Sequence, residues 1–352
     1  MEKLKKFSKY GTEIKSILNL RNKFVQECIQ DFQISKKDVV WSSVVAPSLI
    51  ISLILSSEFE KNEKKRIYAN CLVDLFHLFF ALEDRIRDRQ VTTKKEIGQY
   101  RNTKNVFRCT FKKILGDAYN EGLISEKMKT FFESFFDNLN RYAERVVYPK
   151  DESVKTERLI DKMVSGKISN LFTNNDIIEV HKTKFGNFFR GMGYFLFKFY
   201  NLNFENNKAY FDLFYNIGML AQLVDDLRDL FWQDIEIEQP NIAMALIIHE
   251  NWNEDGKKFI SLINNKKNLN SSLIKQLKSR MYEMREGKIN IYDFYRLIFP
   301  NTYKSINNMV QNFKENIEYC LKKLDIKEVK AEEIVEIYGI LIAFIKALIL
   351  KR

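Results

Sequence analysis

The sequence predicts an all-α protein built as a single large helical bundle. Gly and Pro account for only 12 and 4 of the 352 residues, whereas a β-rich fold needs many of both at its turns. Apolar residues recur at three- and four-residue spacing over long stretches, which is the pattern of amphipathic helices. No segment alternates apolar and polar residues over a useful length, and no linker composition interrupts the chain. We therefore expect one helical domain over residues 1–352.

The spacing of apolar residues predicts the individual helices, and prolines and polar clusters predict their ends. Each of the four prolines is expected between helices or at a helix start. The clearest helical stretches are residues 67–89, 128–147, 176–200 and 210–232. The clusters rich in Asn, Lys and Glu that are predicted as loops are residues 58–65, 201–208 and 264–270.

Charge and cysteine content narrow the function classes. With 57 basic against 46 acidic residues, the net charge is +11, which suits an anionic partner: nucleic acid, a phosphorylated small molecule or a membrane face. A simpler explanation of the positive net charge is that the basic residues lie on solvent-exposed helix faces and bind no partner. The four cysteines form no CxxC pair, so we expect no disulfide framework or zinc site. No signal peptide is visible, and we expect a cytoplasmic location.

Two apolar runs are candidates for membrane contact. Residues 39–55 are interrupted by two serines and Pro47, and residues 334–350 contain an acid and a lysine. Neither run contains the roughly 20 consecutive apolar residues that a membrane-spanning helix needs. Both are predicted to be buried helices; the second, followed by two basic residues, leaves peripheral membrane contact as an alternative.

An acidic cluster ends a strongly apolar helix in the second half of the chain. Asp225 and Asp229 are spaced i, i+4 and share a helix face, with Asp226 beside them and Gln222 one turn earlier. Buried carboxylates cost several kcal/mol unless they are paired or bind metal. The cluster therefore predicts a Mg²⁺ site, and ion pairs with Arg228 are the structural alternative.

A second acidic pair ends another apolar helix near residue 88. Asp84 and Asp88 are again spaced i, i+4. Ion pairs with Arg85 and its neighbouring arginines are the structural alternative. Two acid pairs facing each other would hold several Mg²⁺ ions around one diphosphate group.

A basic element lies between the two acid pairs. A lysine beside a hydroxyl, as in Lys182-Thr183, holds phosphate through a charge and a hydrogen bond. The alternative to a phosphate-binding role is that this element is simply an exposed basic patch. Arg85, Lys94 and Lys95 add positive charge near the first acid pair.

In this order, the motifs resemble those of the trans-isoprenyl diphosphate synthases (polyprenyl synthetases), which have the class I isoprenoid (terpenoid) synthase fold. The resemblance covers about residues 47–246. The matching positions are Asp74 and His77, Asp84 and Asp88, Gly166 to Leu171, Lys182 and Thr183 with Gly193, and Gly218, Gln222, Asp225, Asp226 and Asp229.

The resemblance implies an enzyme that binds an allylic prenyl diphosphate through three Mg²⁺ ions and ionises it. Asp84, Asp88 and Asp225 would ligate metal, with Asp226 and Asp229 doing so directly or through water. A homodimer is also implied. The residues that would hold the substrate or steady the cation are Lys182, Thr183, Gln222, His77, Arg85, Lys94, Lys95, Phe79 and Phe80, the last two by limiting the length of the prenyl chain.

Departures from the family pattern fall mostly on the site of the second substrate, isopentenyl diphosphate. Residues 41–47 have no basic side chain, Lys94 and Lys95 come one position late, and Arg85 replaces the middle aspartate of the first motif. A diphosphate is poorly held without cations. We therefore expect a terpene synthase that cyclises or rearranges one substrate. The alternatives are chain elongation with a site rebuilt from the late lysines and Arg89, a non-catalytic partner subunit and, least favoured, a nucleic-acid binder.

Overall fold

Helices are the only regular elements in the part of the chain that the structure, a computed structural model, describes. That part comprises residues 10–40, 46–87, 91, 93–143, 173–203, 205, 207–230, 241–264, 279–280, 282–283, 289–327 and 329–334. The all-α prediction is thus confirmed. The α-helices are α1 (Gly11–Asp31), α2 (Pro47–Phe59), α3 (Glu63–Arg87), α4 (Lys94–Asn120), α5 (Glu126–Ala143), α6 (Asn174–His181), α7 (Asn187–Tyr200), α8 (Asn207–Asp229), α9 (Ile242–Ala245), α10 (Lys257–Asn264), α11 (Ile291–Ile298) and α12 (Pro300–Lys323).

Contacts along the chain define two compact units. The first unit comprises Met1–Arg145, Phe188–Phe214 and Cys320–Arg352, and the second comprises Val146–Asn187 and Tyr215–Tyr319. Two of the boundaries between these segments fall inside the continuous helices α8 and α12, and a third falls at the start of α7. The prediction of one domain over the whole chain stays a prediction.

In the first unit, α3 is the central helix and packs against α1, α2, α4 and α5. Helix α2 begins with Pro47 at its first position, where the missing N–H needs no partner. Its sequence is apolar on nearly all sides, and residues such as Leu49 and Leu53 are fully buried. The apolar run at 39–55 therefore includes a buried helix, as expected, and residues 41–45 lie outside the described chain.

A buried ion pair fixes α3 to its neighbours. Arg21 of α1 donates to the Asp74 carboxylate of α3, and both side chains are fully buried. The other oxygen of Asp74 accepts the backbone N–H of Ala46, just before α2. Because a buried charge is tolerated only when it is paired and hydrogen-bonded, these contacts join three helices at one point.

In the second unit, polar side chains cap the starts of helices. The Oδ1 atom of Asn241 accepts the backbone N–H groups of Ala243 (2.8 Å) and Met244 (3.3 Å) at the start of α9. Asn290 caps α11 in the same way. Such caps satisfy N–H groups that have no partner inside the helix, and all four residues of α9 are buried.

Helix positions agree with the spacing analysis, with one interruption. The stretch predicted at 176–200 consists of α6, a π-helical segment at Lys182–Gly186, and α7. Among the described residues, no helix has the length and apolarity needed to span a membrane. Residues 335–352, which carry most of the second apolar run, lie outside the described chain.

Candidate functional site

The second acidic motif occupies the last turns of α8, in the second unit. Asp226 and Asp229 are 4% and 6% exposed, and Asp225 is half-buried. The C-terminal end of a helix carries partial negative charge, so each carboxylate there is unfavourable by roughly 0.3–1 kcal/mol unless a cation offsets it. Three carboxylates at such an end therefore favour the binding of a cation.

Arg228 supplies part of that positive charge. Its side chain is largely buried, and burial lowers the pKa of its guanidinium while the charges of Asp225 and Asp229 raise it. Arginine stays protonated in proteins. Arg228 is thus close enough for the charges of Asp225 and Asp229 to act on it, but among the described residues its guanidinium forms no ion pair of the kind that the structural alternative predicts.

Asp226 is engaged by the protein itself. One carboxylate oxygen accepts Gln222 Nε2 at 2.5 Å, and the other accepts the backbone N–H of Ile242 at 2.8 Å. The backbone carbonyl of Asp226 accepts Asn241 Nδ2 at 2.7 Å. Gln222 and Asp226 therefore contact each other, whereas their predicted roles toward diphosphate and metal stay predictions.

The lysine–threonine element lies on the π-helical segment that follows α6. Lys182 is exposed and pairs with Glu179 at 2.7 Å, which raises the pKa of its ammonium group. The Thr183 hydroxyl donates to the backbone carbonyl of Glu179 at 2.9 Å. Single-turn π-helical segments are frequent at functional sites. Exposed pairs of this kind are weak, so Lys182 can exchange Glu179 for an anionic ligand.

Close packing at the end of this segment requires a glycine. A Cβ atom on Gly186 would lie 2.5 Å from the ring of Tyr215 on α8. The glycine therefore lets the segment approach the helix that carries the second acidic motif.

His181 joins the lysine–threonine element to the second acidic motif. Its Nε2 lies 3.3 Å from an Asp226 carboxylate oxygen, and both side chains are about 95% buried. Burial, followed by the charge of Lys184, lowers the pKa of His181 to about 3, so the ring is neutral near pH 7. The structure thus brings two of the sequence motifs into contact within one unit.

The first acidic motif lies at the end of α3, in the first unit. Asp84 and Arg85 are half-buried, and Asp88 lies outside the described residues. The neighbouring Glu83 pairs with Lys104 of α4. Lys94 and Lys95 are exposed in the first turn of α4 and make no ion pair with any described residue.

The aromatic residues before Asp84 pack against other rings. Phe80 stacks on Phe188 of α7 with ring centroids 4.1 Å apart, and Phe79 meets Phe136 of α5 edge to face at 5.1 Å. Phe79 and Phe80 are 7% and 5% exposed. The ring of His77 also lies against Phe188, at 6.0 Å. These side chains form part of an aromatic core beneath the first acidic motif.

The donor set of the second motif suits Mg²⁺. Within the described chain, no group of three or more His, Cys, Asp or Glu side chains is arranged to hold a metal. Mg²⁺ is usually bound by only one or two carboxylates, together with water and substrate phosphates. Asp225 and Asp229, on one face of α8 at its electronegative end, provide such a pair.

Comparison with known proteins identifies the fold. No protein-family profile matches the sequence, and no curated protein matches it. Among solved structures, geranylgeranyl pyrophosphate synthetase from Pyrococcus horikoshii Ot3 aligns with a TM-score of 0.56 at 15% identity, over 97% of this chain and 99% of that one. Octaprenyl pyrophosphate synthase from Helicobacter pylori aligns with a TM-score of 0.57 at 13% identity, over 94% and 99%.

A third solved structure is similar to the same extent. Polyprenyl synthase from Caulobacter crescentus CB15, complexed with calcium and isoprenyl diphosphate, aligns with a TM-score of 0.57 at 10% identity, over 96% of both chains. The chain therefore has the fold of the trans-isoprenyl diphosphate synthases.

Sequence analysis did not single out Asn241 or Tyr295. The Tyr295 hydroxyl donates to the carbonyl of Leu227 near the end of α8, at 3.0 Å. Asn241 follows a proline and precedes an apolar run, which is a signal for a helix N-cap, but its bond to Asp226 has no sequence signal. Of the other motif positions, residues 166–171 lie outside the described chain.

Proposed function

We propose that the protein is a Mg²⁺-dependent enzyme that binds an allylic prenyl diphosphate and ionises it. The observation that carries this proposal is the contact between His181 and Asp226 at 3.3 Å, because it links the lysine–threonine element, which we propose binds phosphate, to an acidic motif in one unit. The fold shared with the prenyl diphosphate synthases supports it.

Each residue of this site has a proposed task. Asp225 and Asp229 would hold Mg²⁺, which neutralises the charge of the departing diphosphate when bound. Lys182 would release Glu179 and bind the diphosphate as a point charge. Asp226 would keep the end of α8 in place through its bonds to Asn241 and Ile242, and Gln222 would orient the Asp226 carboxylate through their mutual hydrogen bond. Metal binding by Asp84 of the first acidic motif stays a prediction, as does the number of ions.

Chain elongation is the favoured fate of the allylic cation. The neighbours in structure are synthases of geranylgeranyl, octaprenyl and other polyprenyl diphosphates, and this favours elongation over the cyclisation that we expected from the sequence. Lys94 and Lys95, exposed in the first turn of α4, are candidates to bind the second diphosphate. Phe79 and Phe80 would restrict the product to a short chain, because their rings fill the space before Asp84.

Cyclisation is the second candidate, and a specific observation favours it. Residues 41–47, which match the element that binds isopentenyl diphosphate in the family, contain no basic side chain. A cation that meets no second substrate would rearrange, cyclise or capture water, and aromatic side chains would stabilise it on the way.

One experiment tests the function and separates the two fates. The purified protein is incubated with Mg²⁺ and geranyl, farnesyl or geranylgeranyl diphosphate, with and without labelled isopentenyl diphosphate. Elongation predicts incorporation of label into a longer diphosphate; cyclisation predicts an extractable hydrocarbon or alcohol without incorporation. Asp225→Asn is the control for background hydrolysis.

The same experiment addresses the remaining alternative. If no substrate releases pyrophosphate in a Mg²⁺-dependent way, the enzymatic proposal is wrong and a non-catalytic partner subunit becomes the better explanation. We also propose a homodimer, which light scattering of the purified protein would test.

A further inference from the structure

Hydrogen bonds from outside α8 hold its C-terminal end at the second acidic motif. We refer to the reciprocal bonds between Asp226 and the pair Asn241–Ile242 as the Asp226 latch. Asn241 Nδ2 donates to the backbone carbonyl of Asp226 at 2.7 Å, and Ile242 N–H donates to the Asp226 carboxylate at 2.8 Å. The latch thus fixes both the backbone and the side chain of Asp226.

Asn241 uses both ends of its amide, and a helix cap needs only one. Its Oδ1 atom caps α9 through Ala243 and Met244, a task that serine or aspartate performs equally well. The Nδ2 bond to Asp226 requires a donor on the same short side chain, and Asn241 is fully buried. Capping alone therefore does not explain this contact.

The Asp226 latch lies within one helical turn of both carboxylates that we propose as metal ligands. Asp225 precedes Asp226, and Asp229 lies one turn later on the same helix face. The bonds from Asn241 and Ile242 come from another segment of the chain, so they constrain this part of α8 in addition to the bonds within the helix. Tyr295 anchors the next carbonyl, that of Leu227, whereas the latch also holds the carboxylate of Asp226 through Ile242 N–H.

We propose that Asn241 is a positioning residue that aims Asp225 and Asp229 toward a Mg²⁺–diphosphate ligand. This inference rests on the proposed function of the site. Outer partners of metal ligands typically contribute 10–100-fold to metal affinity or activity. Asn241 would act in this way through the backbone of Asp226, without touching the ligand.

Asn241→Ser tests the proposal, because serine keeps a capping oxygen and lacks the Nδ2 donor. Asn290→Ser is the matched control: Asn290 also caps a helix of the second unit, through Tyr292 N–H at 2.8 Å. Thermal unfolding of the full chain is followed while Mg²⁺ is titrated at a fixed concentration of inorganic pyrophosphate. We expect Asn241→Ser to raise the half-saturating Mg²⁺ concentration about tenfold or more and Asn290→Ser to leave it unchanged.

The outcomes separate this inference from the function on which it rests. If the wild type binds Mg²⁺ and pyrophosphate and Asn241→Ser lowers only the unfolding temperature of the unliganded protein, Asn241 is structural and the inference is wrong. If the wild type shows no Mg²⁺-dependent shift, the proposed function fails first and the inference with it. Should Asn241→Ser not fold, Asn241→Asp retains the cap and the size of the side chain, lacks the donor, and is expected to give the same increase.

Discussion

The two acidic motifs are held in place by different means. In α8 the anchor is a residue of the motif, since Asp226 is bound by Gln222, Asn241 and Ile242. In α3 the anchor is Asp74, which binds Arg21 and lies well before Asp84 in the sequence. The supporting contacts of α8 are thus made by a residue of the second motif itself. The supporting contacts of α3 are made by a residue that lies outside the first motif.

Because of this difference, we expect substitutions of the two anchors to affect stability and metal binding differently. Changing the anchor of α3 is expected to change the stability of the first unit with little effect on metal binding. Changing the anchor of α8 is expected to change both, because the carboxylates lie one turn or less from the anchored residue. The second motif also keeps all its acidic positions, whereas Arg85 replaces one in the first.

The largest expected effect concerns the metal ligands. Asp225→Asn should lower kcat/KM for pyrophosphate release by about a thousandfold, because several kcal/mol of charge stabilisation at the leaving group is lost. Asp84→Asn should lower it less, by about 10–100-fold, because the charge of Arg85 already weakens metal binding at the first motif. Steady-state kinetics at saturating Mg²⁺ measures both, and a greater loss for Asp84→Asn would reverse the ranking of the motifs.

The anchor of α3 is expected to contribute mainly to stability. Arg21→Met leaves the Asp74 carboxylate buried without its cation, and removing one partner of a buried ion pair typically costs about 3–5 kcal/mol. Urea unfolding measures the change. The double variant Arg21→Met, Asp74→Asn removes the charge and keeps an oxygen for Ala46 N–H, so it should recover much of the loss; no recovery would show that the charge is not the cause.

A smaller effect is expected from His181 and depends on pH. Burial and Lys184 lower its pKa to about 3, whereas the unfolded chain binds a proton at about pH 6.5. The folded state therefore loses stability as the pH falls below 6.5, by roughly 2 kcal/mol between pH 6.5 and pH 5. His181→Gln should flatten this dependence.

Urea unfolding at pH 5, 5.75, 6.5 and 7.25 (roughly spanning the titration) checks the His181 prediction. His249→Gln, at an exposed histidine of the same unit, is the matched control for replacing a histidine. An unchanged slope in His181→Gln would mean that other groups carry the pH dependence.

Local spacing was sufficient to predict the helices and the shared face of Asp225 and Asp229, because both depend on the period of one helix. The hydrogen bond of Asp226 to Ile242 and the contact of Asp226 with His181 could not be predicted, since they join segments that no local sequence pattern relates. The resemblance assigned Lys182 and Asp225 to one site, and this assignment stays a prediction. The contact between their two elements is made by their neighbours His181 and Asp226.

The π-helical segment shows why periodicity also failed locally. Apolar spacing predicted one helix over 176–200, and each half of that stretch does follow helical periodicity. Gly186, the last residue of the widened turn, packs against the ring of Tyr215, and this tertiary contact leaves no mark on the hydrophobic pattern. Within the same turn Lys184 is buried, whereas Lys182 is exposed.

The widened turn also has a consequence for the tolerance of this region to deletions. A π-helical turn holds about one residue more than an α-helical turn, so removing a single residue from Lys182–Gly186 would let this segment close as a regular helix. Within a regular turn, by contrast, each missing residue shifts the following side chains by about 100° around the helix axis. The short widened segment is therefore the place in this stretch where a one-residue gap would be absorbed most readily.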